Sequence, residues 1–406
     1  MSKRLLAPVI VPVFLSLVLG HPISFIYEDL FLETWPFSKD PEILENATQI
    51  IRNYGFHVEE HYVKTADGYI LCLIRMRNPN IELNKKVVFL QHGLLDSAHT
   101  WINNLRNQSL AFILADAGFD VWLGNSRGST YSRKHEKYDT HHIEFWEFSW
   151  DQMAQFDLPA SLYHVLQVSG SNTVGYVGHS QGAQIALAQF NRDPELQSHI
   201  SLFVALAPVA YLGNIASPIR YIAPFARTVE RVWDLFGHGE FLSSTRLLHF
   251  LAYFLCGRGH IPFVCTNVVY LLAGYDARNT NLTRLPVYIA HTPAGTSAKN
   301  MVHYCQGIST DQFQAFDYGK VKNLEIYGQK TPPKYDLSKF TVPTAVFSGG
   351  NDWLAVEKDV DRLIDQIKPA VISHINFPEY NHLDFVWGMD AAIVLYPEVL
   401  RLLNQY

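Results

Sequence analysis

Residues 173–182 read TVGYVGHSQG, and this stretch carries the strongest structural signal in the sequence. Its first half is a short run of β-branched and aromatic residues, which predicts a buried strand, and a helical pattern follows over residues 183–190. Gly178 and Gly182 have no Cβ, so they permit a tight strand-to-helix turn that lifts the Ser180 hydroxyl above the sheet. The motif therefore predicts a nucleophilic serine on that turn.

Short apolar runs rich in valine, isoleucine and phenylalanine alternate with amphipathic stretches on both sides of this turn. That alternation predicts an α/β fold, in which crossover helices connect the strands of a mostly parallel sheet and cover both of its faces. The predicted strands cover residues 87–90, 119–123, 173–177, 200–206, 342–347 and 374–377. The predicted helices cover residues 157–168, 183–190 and 391–403.

The alternation stops over residues 208–341, a stretch that is apolar, aromatic and interrupted by prolines. A structureless loop of that length is uncommon inside a compact domain, so we expect a helical insertion that packs over one edge of the sheet. An independent helical domain is the alternative, but the strand pattern resumes at residue 342, which favours the insertion. The predicted organisation is a core of residues 21–207 and 342–406, with a helical cap and lid at 208–341.

The composition limits the class of protein. The chain has 406 residues, of which 48% are apolar and 17% are charged, so it is neither disordered nor fibrous. With 32 basic and 38 acidic residues its formal net charge is −6, and we expect no nucleic-acid partner. Its 18 histidines reverse the sign of the net charge in mildly acidic solution. They indicate either ordinary surface chemistry or an acidic working compartment.

Residues 1–20 have the layout of a secretory signal peptide. Lys3 and Arg4 precede an apolar run from Leu5 to Leu19, and cleavage is predicted near Gly20. A membrane anchor is the alternative, but the run contains two prolines and is shorter than the ~20 residues that span a bilayer. No other apolar run is long enough. The sequence thus predicts a soluble mature chain in the secretory pathway, secreted or lysosomal, with no transmembrane segment.

Export gives meaning to the sequons and the cysteines. The predicted glycosylation sites are the asparagines of three Asn-X-Ser/Thr triplets, Asn46, Asn107 and Asn281. Cys256 and Cys265 flank a short loop with glycine and proline, and we expect them to form a disulfide in an oxidising compartment. Cys72 lies in an apolar run and is expected to be a buried thiol, whereas the state of Cys305 stays open. No spacing of cysteines and histidines predicts a metal site, and no cofactor is expected.

A serine hydroxyl needs a general base, and on this kind of sheet the acid and then the histidine follow the serine in sequence. Asp352 comes directly after the strand at 342–347, and His382 comes after the last strand, so both are expected at the carboxyl edge beside Ser180. Other acids and histidines fit this pattern less well and are set aside: Asp359, Asp361, His291, His303 and His374.

Stabilising the oxyanion of an acyl-transfer intermediate requires two N–H donors. Gln181 follows the serine at the start of a helix, so its backbone N–H is one predicted donor. The stretch QHGLL at residues 91–95 follows the predicted strand at 87–90, and the N–H of Leu94 is the second predicted donor. An ordinary turn is the alternative interpretation of this loop.

These residues and four further motifs resemble the acid lipase family of the α/β-hydrolases, which includes gastric and lysosomal acid lipases. The most specific motifs are WLGNSRG at 122–128, DLPA at 157–160, PAGTS at 293–297 and NHLDF at 381–385. The resemblance implies an α/β-hydrolase fold, a catalytic triad of Ser180, Asp352 and His382, and oxyanion donors at Leu94 and Gln181. It also implies that part of the cap is a mobile lid, and the cysteine pair named above matches the family's disulfide.

The expected function is the hydrolysis of carboxylic esters of neutral lipids, above all triacylglycerols, at a lipid–water interface. The apolar cap supports this expectation, because burying an acyl chain contributes ~0.8 kcal/mol per methylene. The resemblance and the histidine content together imply an acidic optimum. A steryl-ester hydrolase and an acyltransferase with the same machinery stay open as alternatives, as does a non-catalytic lipid-binding protein. The oligomeric state is not predicted.

Overall fold

The structure is a computed structural model that describes residues 40–84, 86–221, 223–225, 239–242, 272–274, 276 and 278–406. The predicted signal peptide at 1–20 and the cysteines Cys256 and Cys265 lie outside these residues, as does part of the predicted cap. The signal peptide and the disulfide therefore stay predictions.

A mixed sheet forms the centre of the fold. The strands are β1 (His57–Lys64), β2 (Tyr69–Arg77), β3 (Val87–Gln91), β4 (Asp120–Gly124), β5 (Lys134–His135), β6 (Val174–His179), β7 (Ile200–Leu206), β8 (Glu240–Phe241), β9 (Thr296–Ser297), β10 (Thr344–Gly349) and β11 (Val371–Phe377). Within the described residues, nine of them form one sheet in the order β1-β2-β4-β3-β6-β7-β10-β11, with β5 paired to β2, and β8 and β9 form a separate ribbon. The strands from β4 to β11 in this order run parallel, and β2 is antiparallel to each of its partners β1, β4 and β5.

The six parallel strands are those that the sequence predicts, with ends shifted by at most a few residues. Every residue of β3, β4, β6 and β10 is buried. Strands of a parallel sheet are covered by helices on both faces, which is why they appear in the sequence as continuous apolar runs. The predicted α/β class is confirmed.

The antiparallel pair β1 and β2 is absent from the sequence prediction. β1 has the sequence HVEEHYVK, and Val63 is its one buried residue. It lies at the edge of the sheet and pairs with β2 from His57 opposite Arg77 to Lys64 opposite Ile70. Charged side chains are typical of a solvated edge strand, and they conceal the alternation that would have predicted it.

The structure describes thirteen α-helical segments in addition to the strands. They are α1 (Ala47–Asn53), α2 (Leu110–Asp116), α3 (Trp150–Gln152), α4 (Leu158–Ser169), α5 (Gln181–Arg192), α6 (Pro194–Ser198), α7 (Leu285–His291), α8 (Ala298–Thr310), α9 (Lys320–Tyr327), α10 (Glu357–Ile367), α11 (Asp384–Trp387), α12 (Ala391–Val394) and α13 (Tyr396–Gln405). A π-helical segment, Met153–Asp157, joins α3 to α4. The predicted helices at 157–168 and 183–190 correspond to α4 and α5.

The single C-terminal helix predicted at 391–403 is wrong, because the structure divides it into α12 and α13. Leu395 lies between them with φ −108° and ψ −54°. Pro397 follows in the first turn of α13, where its missing N–H is tolerated, whereas in the interior of a continuous helix it would remove a hydrogen bond and clash with the preceding turn.

The chain on either side of the predicted cap meets in the sheet. β7 and β10 pair in parallel from Phe203 opposite Thr344 to Leu206 opposite Phe347. The helices α7, α8 and α9 and the β8–β9 ribbon belong to the stretch between those two strands. The division of the chain into a core and a cap stays a prediction. Among the helices that the structure describes, none has the length and apolar character to span a bilayer.

Candidate active site

Ser180 lies between β6 and α5 in a strained backbone conformation. Its φ is 53° and its ψ is −115°, values that are rare for a residue with a side chain. The flanking glycines make the turn possible. A Cβ on Gly178 would lie 2.7 Å from the backbone nitrogen of Ala183, and one on Gly182 would lie 2.3 Å from the carbonyl oxygen of Gln91. The helix can therefore begin directly against two strand ends, with the serine side chain at the apex.

Ser180, His382 and Asp352 form a continuous hydrogen-bonded chain. Ser180 Oγ lies 2.7 Å from His382 Nε2, and His382 Nδ1 lies 2.8 Å from Asp352 Oδ2. All three side chains are buried. Because a carboxylate accepts from Nδ1–H, the lone pair of a neutral imidazole at Nε2 faces the serine hydroxyl. The arrangement can remove a proton from Ser180.

The loops that follow β10 and β11 present the acid and the histidine. Asp352 comes three residues after the end of β10, and its Oδ1 accepts hydrogen bonds from the N–H groups of Leu354 (2.8 Å) and Ala355 (2.7 Å). Those two bonds hold the carboxylate so that Oδ2 points at His382. Parallel strands end at the same edge of the sheet, so the loop after β11 meets the loop after β10 there.

None of the set-aside acids and histidines belongs to this hydrogen-bonded chain of three residues. Asp361 is exposed. Asp359 accepts a hydrogen bond from the Asn214 side chain (2.6 Å), and His374 is hydrogen-bonded to Ser348 (2.9 Å). His303 is hydrogen-bonded to Ser149 (3.0 Å), and His291 donates to the carbonyl oxygen of Glu42 (2.8 Å). The structure brings together the three residues that the sequence analysis selected.

The backbone of His382 is held on both sides. Its N–H donates to the carbonyl oxygen of Ala273 (3.1 Å), and its own carbonyl oxygen accepts from His179 Nε2–H (2.9 Å). Burial lowers the pKa of His179 to about 3. This role of His179 was not predicted, and its position inside the serine motif was the one signal that could have indicated it.

The loop after β3 lies against the serine. A Cβ placed on Gly93 would be 3.1 Å from Ser180 Cβ. Within the described residues, the N–H groups of Leu94 and Gln181 donate no hydrogen bond. N–H groups that are free beside a serine side chain can serve as donors to a substrate oxyanion.

His92 fixes the start of this loop. Its Nε2 accepts a hydrogen bond from the Ser126 N–H (3.0 Å), so Nδ1 carries the proton that it donates to the carbonyl oxygen of Gly93 (2.8 Å). Burial lowers the pKa of His92 to about 4, which keeps this imidazole neutral in mildly acidic solution. The loop therefore keeps its hydrogen bonds across that range.

The beginning of the PAGTS motif at 293–297, together with the residue before it, is hydrogen-bonded to the loop that follows β3. The Ala294 N–H donates to the carbonyl oxygen of Leu95 (2.7 Å). The backbone of Leu95 has a φ of 61°. The Thr292 hydroxyl donates to Asp96 Oδ1 (3.1 Å). In the sequence this motif indicates only a family resemblance, whereas in the structure it supports the loop of the predicted oxyanion donor.

The predicted glycosylation sites are at the surface, whereas the two cysteines that the structure describes are not. Asn46 and Asn107 are exposed and Asn281 is partly exposed, so the predicted glycosylation sites are accessible. Cys72 and Cys305 are buried free thiols. In the part of the chain that the structure describes, no group of three or more histidine, cysteine, aspartate or glutamate side chains is arranged to hold a metal ion.

Comparison with known proteins identifies the class. A family model described as the alpha/beta hydrolase fold matches residues 86–389, and one described as a partial alpha/beta-hydrolase lipase region matches residues 47–105. The soluble variant of monoglyceride lipase from Saccharomyces cerevisiae, solved with a substrate analog, superposes with a TM-score of 0.52 and 15% identity over 86% of this chain and 95% of that chain. The protein is an α/β-hydrolase in its fold.

Two relatives show to which family of α/β-hydrolases the chain belongs. The lysosomal acid lipase/cholesteryl ester hydrolase of Homo sapiens is 47% identical over 90% of this chain and 92% of its own length. The gastric triacylglycerol lipase of Rattus norvegicus is 43% identical over 90% of this chain and 93% of its own length. The chain belongs to the acid lipase family of the α/β-hydrolases.

Proposed function

We propose that this protein is a lipase that hydrolyses carboxylic esters of neutral lipids, triacylglycerols among them, by acyl transfer through Ser180. The observation that carries the proposal is the buried hydrogen-bonded chain from Ser180 through His382 to Asp352. Beside it are the N–H groups of Leu94 and Gln181, which donate no hydrogen bond to any residue that the structure describes. The relatives whose names include acid lipase and triacylglycerol lipase support the substrate class.

In the acylation step, His382 Nε2 takes the proton of Ser180 Oγ while that oxygen attacks the ester carbonyl carbon. The N–H groups of Leu94 and Gln181 hold the oxyanion of the tetrahedral intermediate, a contribution of about 10²–10³ in rate per donor. The intermediate collapses, the bond to the alcohol oxygen breaks, and His382 returns the proton to the departing alcohol. General base catalysis of this kind contributes about 10²–10⁴.

Deacylation repeats these steps with water. His382 accepts a proton from a water molecule that attacks the acyl carbon, and the fatty acid leaves as Ser180 recovers its proton. Asp352 keeps the imidazole in the required tautomer and stabilises the imidazolium that forms in each half-reaction. No group other than the chain's own residues and water is needed for this balance.

The segment at 208–341 supplies the acyl-binding cap in this proposal, and part of it opens as a lid at a lipid–water interface. An open lid would expose apolar surface that adheres to the lipid. In this proposal the chain enters the secretory pathway, is cleaved near Gly20, carries glycans on Asn46, Asn107 and Asn281, and is secreted or lysosomal. A disulfide between Cys256 and Cys265 belongs to the same proposal.

The test is a panel of ester substrates, assayed with the purified protein and with its Ser180→Ala variant. We expect the protein to hydrolyse triolein emulsions, to work best in acidic solution and to react covalently with a fluorophosphonate. The Ser180→Ala variant should lose both activities and unfold at the same temperature as the parent. Turnover by a folded Ser180→Ala variant would overturn the proposal, and a rate profile that peaks near pH 8 would overturn its acidic optimum.

Steryl esters are a second candidate substrate, because the 47% identical relative carries cholesteryl ester hydrolase in its name. The same machinery attacks either carbonyl, and the difference lies in the shape of the acyl and alcohol pockets. Rates with trioleoylglycerol and cholesteryl oleate, dispersed in the same vesicles, decide between the two. A preference for the sterol ester would shift the proposal to that substrate.

A further inference from the structure

The Asn300 side chain makes three hydrogen bonds at a position remote in sequence from the serine. It is the third residue of α8 and is fully buried. Its Nδ2 donates to Gln181 Oε1 (2.8 Å) and to Thr296 Oγ1 (3.0 Å), and its Oδ1 accepts from the Trp150 N–H (2.8 Å). Every polar atom of this amide side chain therefore has a partner.

The partner that matters is Gln181, the residue whose backbone N–H faces the oxyanion in the mechanism above. Its side chain is buried, and while Oε1 accepts from Asn300, Nε2 lies 3.2 Å from Met153 Sδ. Gln181 begins α5 directly after the strained Ser180 backbone. A strained backbone persists only where its surroundings hold it in place. Here Asn300 and Met153 hold the end of the Gln181 side chain, next to the strained residue.

We propose that Asn300 is a positioning residue that holds the first turn of α5 so that the Gln181 N–H meets the substrate oxyanion. This inference rests on the function proposed above. It also connects α8, which lies in the 208–341 stretch, to the site of the chemistry. Asn300 touches no reacting atom in this scheme, and its effect passes through Gln181.

Oxyanion stabilisation depends steeply on placement. Removing one donor costs about 10²–10³ in kcat, and a 1 Å displacement of a reacting group can cost about 10². We expect loss of the Asn300 donors to lower kcat about 10- to 100-fold, because the N–H remains but is less well placed. KM for a short soluble ester should stay within twofold, since the ground-state ester does not carry the oxyanion charge.

Asn323 provides a matched control. It is also a buried asparagine of the same stretch, and its Nδ2 donates to Asp317 Oδ1 (2.7 Å) and to the carbonyl oxygen of Lys330 (3.1 Å). Its Oδ1 accepts from the Tyr318 N–H (2.9 Å). The pattern of two donated bonds and one accepted bond is the same as that of Asn300, but these partners lie within residues 317–330. Equal substitutions at the two positions separate general destabilisation from an effect on the site.

The experiment compares Asn300→Asp and Asn300→Ala with Asn323→Asp and Asn323→Ala in the full-length protein. The measurements are kcat and KM for p-nitrophenyl butyrate, the rate of phosphonylation of Ser180 by a fluorophosphonate, and thermal unfolding. The Asn300 variants should lose kcat and phosphonylation rate together, because the phosphoryl oxygen occupies the same donor site. The Asn323 variants should lose stability only.

A Gln181→Met variant keeps the backbone N–H and removes the Oε1 acceptor. It should reproduce the Asn300→Ala loss, and the double variant should be no slower than either single one, because both remove the same interaction. This variant also decides the question if the Asn300 variants fail to fold.

Two kinds of failure are distinguishable. A parent protein that hydrolyses no ester and is not labelled at Ser180 contradicts the proposed function itself. An active parent whose Asn300 and Gln181→Met variants keep kcat within twofold overturns the inference alone. The inference is also overturned if the Asn323 variants lose as much kcat as the Asn300 variants, or if the double variant shows the product of the two single losses.

Discussion

His179 donates a hydrogen bond of 2.9 Å from Nε2–H to the carbonyl oxygen of His382, which joins the strand-to-helix turn of the serine to the loop of the histidine. The two residues are 203 positions apart in sequence, and their ring centroids are 5.1 Å apart. Burial lowers the pKa of His179 to about 3. His179 therefore stays neutral in acidic solution, and no second positive charge opposes the imidazolium that forms at His382 during turnover.

The neutral state of His179 has a cost in stability at low pH. The histidine pKa is about 6.5 in the unfolded chain and about 3 in the folded protein, so the unfolded state binds more protons between these values. Protonation of the unfolded chain therefore lowers the free energy of unfolding progressively as the pH falls from about 6.5 toward 3. We expect His179→Gln to flatten the pH dependence of the free energy of unfolding by up to about 1.4 kcal/mol per pH unit between pH 6 and 4. Urea titrations at several pH values measure the slope, and an unchanged slope would contradict the buried neutral state.

Asp96 should act in the opposite direction. Burial raises the pKa of Asp96 from 3.8 to about 6, although the Ser97 N–H and the hydroxyls of Thr100 and Thr292 partly offset it. The folded state thus binds more protons than the unfolded state between those values, and this residue makes the protein less stable as the pH rises from about 4 to 6.

Asp96→Asn keeps an oxygen that can accept from Ser97 and Thr292 and removes the charge. The variant should gain roughly 2–3 kcal/mol over the parent at pH 7 and much less at pH 4. The same urea titrations make the measurement, and the His179→Gln variant serves as a control with the reverse change of slope. Equal effects at pH 4 and pH 7 would show that the carboxyl does not titrate in this range.

Asp352→Asn should lower kcat by about 10⁴-fold, because an amide can donate to Nδ1 and so favour the tautomer that cannot accept the proton of Ser180. The structure predicts little change in folding, since Oδ1 of the amide still accepts from Leu354 and Ala355. The exposed Asp361, which the sequence analysis set aside, gives the control Asp361→Asn, expected to match the parent. Similar kcat values for the two variants would remove Asp352 from the mechanism.

The strain at Ser180 predicts a difference between two inactive variants. A φ of 53° is unfavourable for any residue with a Cβ and acceptable for glycine. Ser180→Gly should therefore be more stable than Ser180→Ala by about 1–2 kcal/mol, although both lack the hydroxyl. Equilibrium unfolding in urea compares them, and an alanine variant as stable as the glycine variant would argue against the strained turn.

Local pattern accounts for the parts of the fold that were predictable. The six parallel strands were predicted because burial on both faces produces continuous apolar runs such as the fully buried β3 and β6. The edge strand β1 was missed because solvated charges interrupt its pattern. The break at Leu395 was missed because the apolar spacing continues through it, while the geometry of Pro397 decides the backbone.

The α/β class and the candidate residues Ser180, Asp352 and His382 could be predicted from sequence alone, because each residue follows a strand that the apolar pattern of its neighbours reveals. The contacts that support these residues become visible only in the folded protein. The bonds from His179 to the His382 carbonyl and from Asn300 to Gln181 join residues 203 and 119 positions apart. Such contacts have no periodicity in the chain, since they depend on which loops and helices meet at the edge of the folded sheet.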